Sequence, residues 1–169
     1  APSVAILAQA RGRAQGPARG MLVVSAGGAA SPLAGARREA DWLTSSFDGV
    51  ERVDSAQEGS ERFAASLRDY GALHFAGHTS LDDRSPWRSG IDVGAPAPVD
   101  PEPEAAPAAV RKTTAPRDLL RAETIAATPL AARLVVLSSC ETAGGQSIEG
   151  EGVSGLSTAF IAAGARAVV

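Results

Sequence analysis

The residues of this chain that could do covalent chemistry begin with its single cysteine, Cys140. The preceding run, Leu134 to Leu137, is unbroken and apolar, the pattern of a strand buried on both faces of a parallel sheet. A polar, glycine-rich loop follows, and Val153 to Ala163 then repeats apolar residues at helical spacing. Cys140 is therefore predicted at the carboxyl end of a central strand, where open α/β sheets carry their chemistry. An inert buried thiol is the alternative interpretation of a lone cysteine.

A histidine, His78, ends a second buried-strand pattern, Ala72 to Gly77. The two reactive side chains are 140 − 78 = 62 residues apart, which leaves room for one crossover connection and an insertion. A thiol has an unperturbed pKa of roughly 8.5, so it needs a base to become a nucleophile near neutral pH. His78 at the end of a neighbouring strand would supply that base. His74 would share a face of the strand with His78, but its apolar neighbours favour a core position.

The composition indicates one globular α/β domain of 169 residues, with 44% hydrophobic and 21% charged residues. A net charge of −3 and the lack of a Lys/Arg tract argue against a nucleic-acid partner. One cysteine excludes an internal disulfide, and with only two histidines no metal site is expected. No segment approaches the roughly 18 apolar residues of a membrane span, and no signal-peptide pattern is present. A free reactive thiol suits a reducing, cytoplasmic location.

The other elements follow from hydrophobic periodicity and from the positions of glycine, proline and serine. Strands are predicted at Met21 to Ala26 and Val50 to Val53, with an extended piece at Gly90 to Val93, and helices at Leu33 to Phe47, Ser60 to Asp69 and Arg117 to Ala127. In the first helix the core-facing positions are predicted to be Ala36, Ala40, Leu43 and Phe47, whereas Arg37, Arg38 and Glu39 are predicted to face solvent.

Two segments are predicted to lie outside the packed core. Ala1 to Gly20 is interpreted as a linker or the tail of an upstream element. Gly94 to Pro116 is rich in Pro and Ala and is predicted to be a disordered insertion, because it holds too little apolar surface to order itself. Ala165 to Val169, in contrast, is apolar except for Arg166 and is predicted to begin a further strand.

Four stretches of the chain resemble the CHAT domain family. They are LHFAGHT at Leu73 to Thr79, LVVLSSCETAGG at Leu134 to Gly145, GEGVSGLSTAFIAAGARAVV to the C-terminus, and PLAGARREADWL near the start. The similarity runs with gaps from about Met21 to Val169. CHAT domains are caspase-like cysteine peptidases related to separases and gingipains, and they are often fused to tetratricopeptide (TPR) repeats. The resemblance implies a caspase-like, three-layer α/β/α fold with a mainly parallel sheet, and no cofactor.

The resemblance also implies the site. Cys140 would be the nucleophile and His78 its base, with the backbone N–H groups of Cys140 and Thr79 forming an oxyanion hole. The family pattern has glycine directly after the catalytic histidine, where this chain has Thr79. Threonine keeps the N–H, but a β-branched residue would be strained if the fold required a positive φ there.

Acidic and glycine residues near the two reactive groups suggest substrate contacts. Gly144 and Gly145 would let backbone N–H groups approach a reacting carbonyl. Glu141 would attract a basic substrate side chain, although a solvated acidic loop explains it equally well. Asp82 or Asp83 could orient His78, but paired acids in a turn are usually solvated.

The expected function is a cysteine endopeptidase that cleaves a protein or peptide substrate, with a basic residue before the cut as one expectation. Two alternatives stay open: a strand-end cysteine hydrolase of the amidotransferase or deglycase type, and a catalytically weak or inactive domain that serves as a protein-interaction module. Residues 21–169 would form the CHAT domain. The family pattern implies further strands after Val169, so a large-subunit-like portion is expected, with a small-subunit-like C-terminal segment and TPR repeats of the parent protein as partners.

Overall fold

A computed structural model describes residues 18–25, 33–54, 59–82, 84–96, 117–138 and 151–169 of the chain. Strands and helices alternate through most of these ranges. The strands are β1 (Arg19–Val24), β2 (Val50–Val53), β3 (Tyr70–Ala76), β4 (Thr79–Ser80), β5 (Gly90–Pro96), β6 (Arg117–Arg121) and β7 (Leu134–Ser138). The helices are α1 (Ala34–Ser46), α2 (Ser60–Ser66), α3 (Ala122–Ala127) and α4 (Glu151–Ala163), with short 3-10 turns at Leu67–Asp69 and Pro86–Arg88.

The main sheet is parallel and has the strand order β2-β1-β3-β7. Its apolar runs set the register: Leu22 of β1 lies beside Leu73 of β3, which in turn lies beside Val135 of β7. The chain's last residues extend the sheet, because Val168 forms a parallel bridge with Val135 and backbone hydrogen bonds tie Val169 to β7. The expected strand after Ala165 is therefore present as this short edge segment.

Helices cover both faces of the main sheet, as the α/β/α prediction requires. On one face, Ala40 and Leu43 of α1 pack against Val23. On the other face, α2, α3 and α4 bury a larger cluster of apolar side chains, in which the rings of Phe75 and Phe160 lie 5.5 Å apart between centroids. These two apolar layers cover both faces of the sheet and so fix its position relative to the helices.

A second, antiparallel sheet has the order β4-β5-β6. The prediction of one helix over residues 117–127 is wrong for its first half, because Arg117–Arg121 pairs with β5 as β6 and buries Leu120. The helix α3 begins only at Ala122. β5 also takes in residues 94–96, which had been assigned to the insertion; residues 97–116 lie outside the described ranges.

Helix α1 departs from the prediction at two positions. Phe47 follows the last helical residue and is 50% exposed, with its ring edge-on to Trp42 rather than in the core. Glu39 faces the sheet instead of solvent, because the hydroxyl of Ser138 on β7 supplies a hydrogen bond to its carboxylate. In the described part of the chain, no helix is both long enough and apolar enough to cross a bilayer.

Candidate functional site

The carboxyl ends of β3 and β7 lie side by side. Their last paired residues are Ala76 and Ser138, and the Gly77 N–H donates to the Ser138 carbonyl at 3.4 Å. His78 follows Ala76 by two residues, and Cys140 follows Ser138 by two residues in the sequence. Cys140 itself, and with it Glu141, Gly144 and Gly145, lies outside the described residues.

His78 is buried at the junction of the two sheets, with 7% of its surface exposed. Its carbonyl accepts a hydrogen bond of 2.9 Å from the Asp92 N–H on β5. Asp92 is buried too, and one of its carboxylate oxygens accepts from the Gly94 N–H at 2.9 Å. The backbone of His78 is thus held on one side by its connection to β3 and on the other by its hydrogen bond to β5.

Thr79 has an unstrained backbone. No non-glycine residue in the described ranges has a positive φ, so the β-branched side chain meets no steric penalty there. Thr79 lies directly opposite Ile91 in the antiparallel ladder, and the carbonyl of the preceding peptide unit points to β5. In a trans peptide the N–H points the opposite way, so the Thr79 N–H is directed away from β5.

A polar cluster that the sequence did not predict lies beneath this edge, on the α1 face of the sheet. Ser138 Oγ donates to Glu39 Oε2 at 2.9 Å, and His74 Nε2 lies 3.2 Å from Glu39 Oε1. The second contact has the distance of an ion pair but not the alignment of a hydrogen bond. Burial lowers the pKa of His74, and the nearby charge of Glu39 only partly opposes that effect. His74 is therefore the core-facing histidine that its apolar neighbours indicated.

One sequence signal could have revealed Glu39. It lies three residues after Ala36 and four before Leu43, which is helical spacing for the buried stripe of α1. Its charge led to the opposite prediction.

The loop after Thr79 is held by local hydrogen bonds. One carboxylate oxygen of Asp82 accepts from the N–H groups of Arg84 and Ser85, at 3.1 and 2.9 Å, and so closes the turn before Pro86–Arg88. Trp87 on that turn is 48% exposed. Within the described ranges, no three His, Cys, Asp or Glu side chains converge as a metal site would require.

A four-stranded parallel sheet between helical layers, with a buried histidine just past a central strand, defines an α/β protein of caspase-like architecture. The family model of the CHAT domain matches the chain over residues 1–169. The chain therefore belongs to the CHAT domain family, which is related to the caspase-like cysteine peptidases, and the resemblance seen in the sequence is confirmed. No curated protein matches the chain.

Proposed function

We propose that this chain is a cysteine endopeptidase that works through a Cys140–His78 dyad. One observation carries the proposal: β3 and β7 are adjacent and parallel, and each reactive residue follows the last paired residues, Ala76 and Ser138, by the same two positions. Neighbouring strands lie about 5 Å apart, so a register continued by two residues would bring the two side chains within reach of each other. Membership of the CHAT family supports the same assignment.

The reaction follows from these roles. The Cys140 thiol gives its proton to His78, and the thiolate sulfur attacks the peptide carbonyl carbon. When the tetrahedral intermediate collapses, the C–N bond breaks, His78 returns the proton to the leaving amine, and a thioester remains on Cys140. Water, deprotonated by His78, then hydrolyses the thioester and regenerates the thiol.

The Thr79 N–H is the proposed oxyanion donor on the His78 side, together with the Cys140 N–H. Two observations support this role. The backbone of Thr79 is unstrained, and its N–H is directed away from β5 rather than used in the ladder. Threonine at this position is therefore compatible with catalysis.

The substrate class is a protein or peptide, with Glu141, Gly144 and Gly145 as the proposed contacts and a basic residue before the cut. A reducing, cytoplasmic location would keep the thiol active. A C-terminal small-subunit-like segment and TPR repeats of the parent protein are the proposed partners.

A peptidyl acyloxymethyl ketone ending in Arg or Lys tests the proposal. The reagent should alkylate Cys140 of the wild-type chain with its peptidyl ketomethyl group, as read by intact mass. An activated thiolate displaces the carboxylate leaving group of the reagent. His78→Ala should slow the labelling and Cys140→Ala should abolish it. Iodoacetamide is the accessibility control, since the chain has only one thiol. A wild-type chain that iodoacetamide alkylates but the ketone leaves unmodified would refute a peptidase that cleaves after basic residues and leave the two alternatives, the strand-end cysteine hydrolase and the interaction module.

A further inference from the structure

We propose that Glu39 is a positioning residue for the dyad: from α1, its carboxylate holds the end of β7, which leads to Cys140, and lies beside β3, which leads to His78. The inference rests on the proposed function. It concerns how the two halves of the site are kept in register, and it assigns a role to a cluster that the peptidase chemistry does not use.

The first contact is to β7. Ser138 is the last residue of that strand, and its hydroxyl donates to Glu39 Oε2 at 2.9 Å. Hydrogen bonds to a carboxylate are roughly twice as strong as those between neutral groups. Ser138 is also the last residue of β7 in the β3–β7 register. Together with the Gly77 N–H, which donates to the Ser138 carbonyl, this side-chain bond fixes the end of the described part of β7.

The second contact is to β3. His74 lies four residues before His78, and its Nε2 is 3.2 Å from the other carboxylate oxygen, Glu39 Oε1. The His74 side chain is only 8% exposed, whereas that of Glu39 is 36% exposed. The contact is close but is not aligned as a hydrogen bond, so it places the carboxylate beside β3 without bonding to it, and Glu39 keeps part of its hydration.

The two acidic residues of α1, Glu39 and Asp41, have different partners, and this difference supports a specific role for Glu39. Asp41, two residues further along the helix, turns to Arg52 on the edge strand β2 instead. Of these two acids of α1, only Glu39 contacts both β3 and β7. If the bond to Ser138 is lost, the end of β7 can shift relative to β3, and a displacement of about 1 Å can lower a rate by as much as a hundredfold.

The test measures the alkylation of Cys140 by iodoacetamide as a function of pH. An activated thiol should show a midpoint below the ordinary value of roughly 8.5. Glu39→Ala and Ser138→Ala should move the midpoint upward, and where both midpoints lie above pH 7 a rise of about one unit lowers the thiolate fraction at pH 7 by up to about tenfold. The matched controls are Glu61→Ala on α2 and Ser45→Ala on α1, which remove the same groups from exposed positions.

The direction of the shift separates positioning from simple electrostatics. Removing a nearby negative charge would by itself stabilise the thiolate and lower the midpoint, whereas lost alignment with His78 raises it. Ser138→Ala changes no charge, so it isolates alignment. Ser138→Thr and Glu39→Gln retain a donor and an acceptor and should restore most of the wild-type behaviour. A role confined to stability would lower the melting temperature and leave the midpoint in place.

Two failures are distinguishable. A midpoint that His78→Ala raises, but that Ser138→Ala and Glu39→Ala leave unchanged or lower, overturns the role of Glu39 and leaves the dyad intact. A midpoint that His78→Ala does not move overturns the dyad itself. Ser138→Ala removes one hydroxyl only, so if Glu39→Ala does not fold, the midpoint of Ser138→Ala alone tests whether Glu39 positions the dyad.

Discussion

Replacing Gly155 of α4 with alanine should force apart two segments that flank the proposed site. A Cβ at this position would lie 2.7 Å from the Pro86 carbonyl oxygen and 2.9 Å from Pro86 Cβ. Neither atom can rotate away, because one belongs to the backbone and the other to the proline ring. The helix that follows the Cys140 segment and the turn that follows Thr79 must therefore separate.

Two opposing effects set the change in the free energy of unfolding that Gly155→Ala causes. Alanine is favoured over glycine inside a helix by about 0.8–1.0 kcal/mol, whereas overpacking of a well-filled contact costs about 1–3 kcal/mol. Overpacking should win, with a net destabilisation of up to about 2 kcal/mol. Gly35→Ala on α1 is the matched control, because a Cβ there meets nothing within 4 Å. It should stabilise the chain by at most about 1 kcal/mol.

Urea unfolding followed by circular dichroism compares the two variants directly. The expected result is that Gly155→Ala lowers the free energy of unfolding and Gly35→Ala raises it slightly. Alkylation of Cys140 should also slow in Gly155→Ala if the displaced turn carries His78 with it. If Gly155→Ala stabilises the chain as much as Gly35→Ala does, the contact between α4 and Pro86 is not tight, and the predicted overpacking is wrong.

Two further predictions concern the core. Burial lowers the pKa of His74 in the folded chain below the ordinary histidine pKa of 6.5, so the unfolded chain binds the proton more readily than the folded chain. The free energy of unfolding should therefore fall as the pH drops below 6.5. Urea unfolding between pH 5 and 8 should show a flatter profile for His74→Gln, and an equal slope in both proteins would argue against this. Phe160→Ala should cost about 3–5 kcal/mol, since the ring is fully buried against Phe75. The exposed Phe47→Ala should cost far less, and a similar loss from both would contradict the assigned core.

The sequence predicted best where buried strands are continuous and apolar. Residues 72–76 lie within β3, which is almost entirely buried, as such a run requires. Residues 134–137 lie within β7, but there only Val135 is buried and Leu134 is 38% exposed, so the strand is predicted correctly and its burial on both faces is not. The prediction failed for Arg117–Arg121, whose two leucines between charged residues suit a helix as well as a strand. Pairing with β5 decides between them, and that pairing is a tertiary contact that local pattern does not contain.

The site was predictable only in part for the same reason. The position of His78 after a buried strand can be read locally. The tie between Glu39 and Ser138 joins residues 99 positions apart and follows from how α1 packs on the sheet. The backbone angle at Thr79 likewise depends on its pairing with β5, so the sequence could raise the question of strain but could not answer it.

The His78–Thr79 peptide unit joins the two sheets, and this placement has a mechanistic consequence. The carbonyl of this unit belongs to His78 and accepts a hydrogen bond from the Asp92 N–H. The His78 side chain is the proposed base, and the N–H of the unit, which belongs to Thr79, is the proposed oxyanion donor. A change that shifts β5 should therefore impair proton transfer and oxyanion stabilisation together. A change at Glu39 should instead act on the end of β7 and so alter the placement of Cys140 while leaving the His78–Thr79 peptide in position. The antiparallel sheet would thus control the His78 half of the proposed dyad, and α1, through Glu39 and Ser138, would control the Cys140 half.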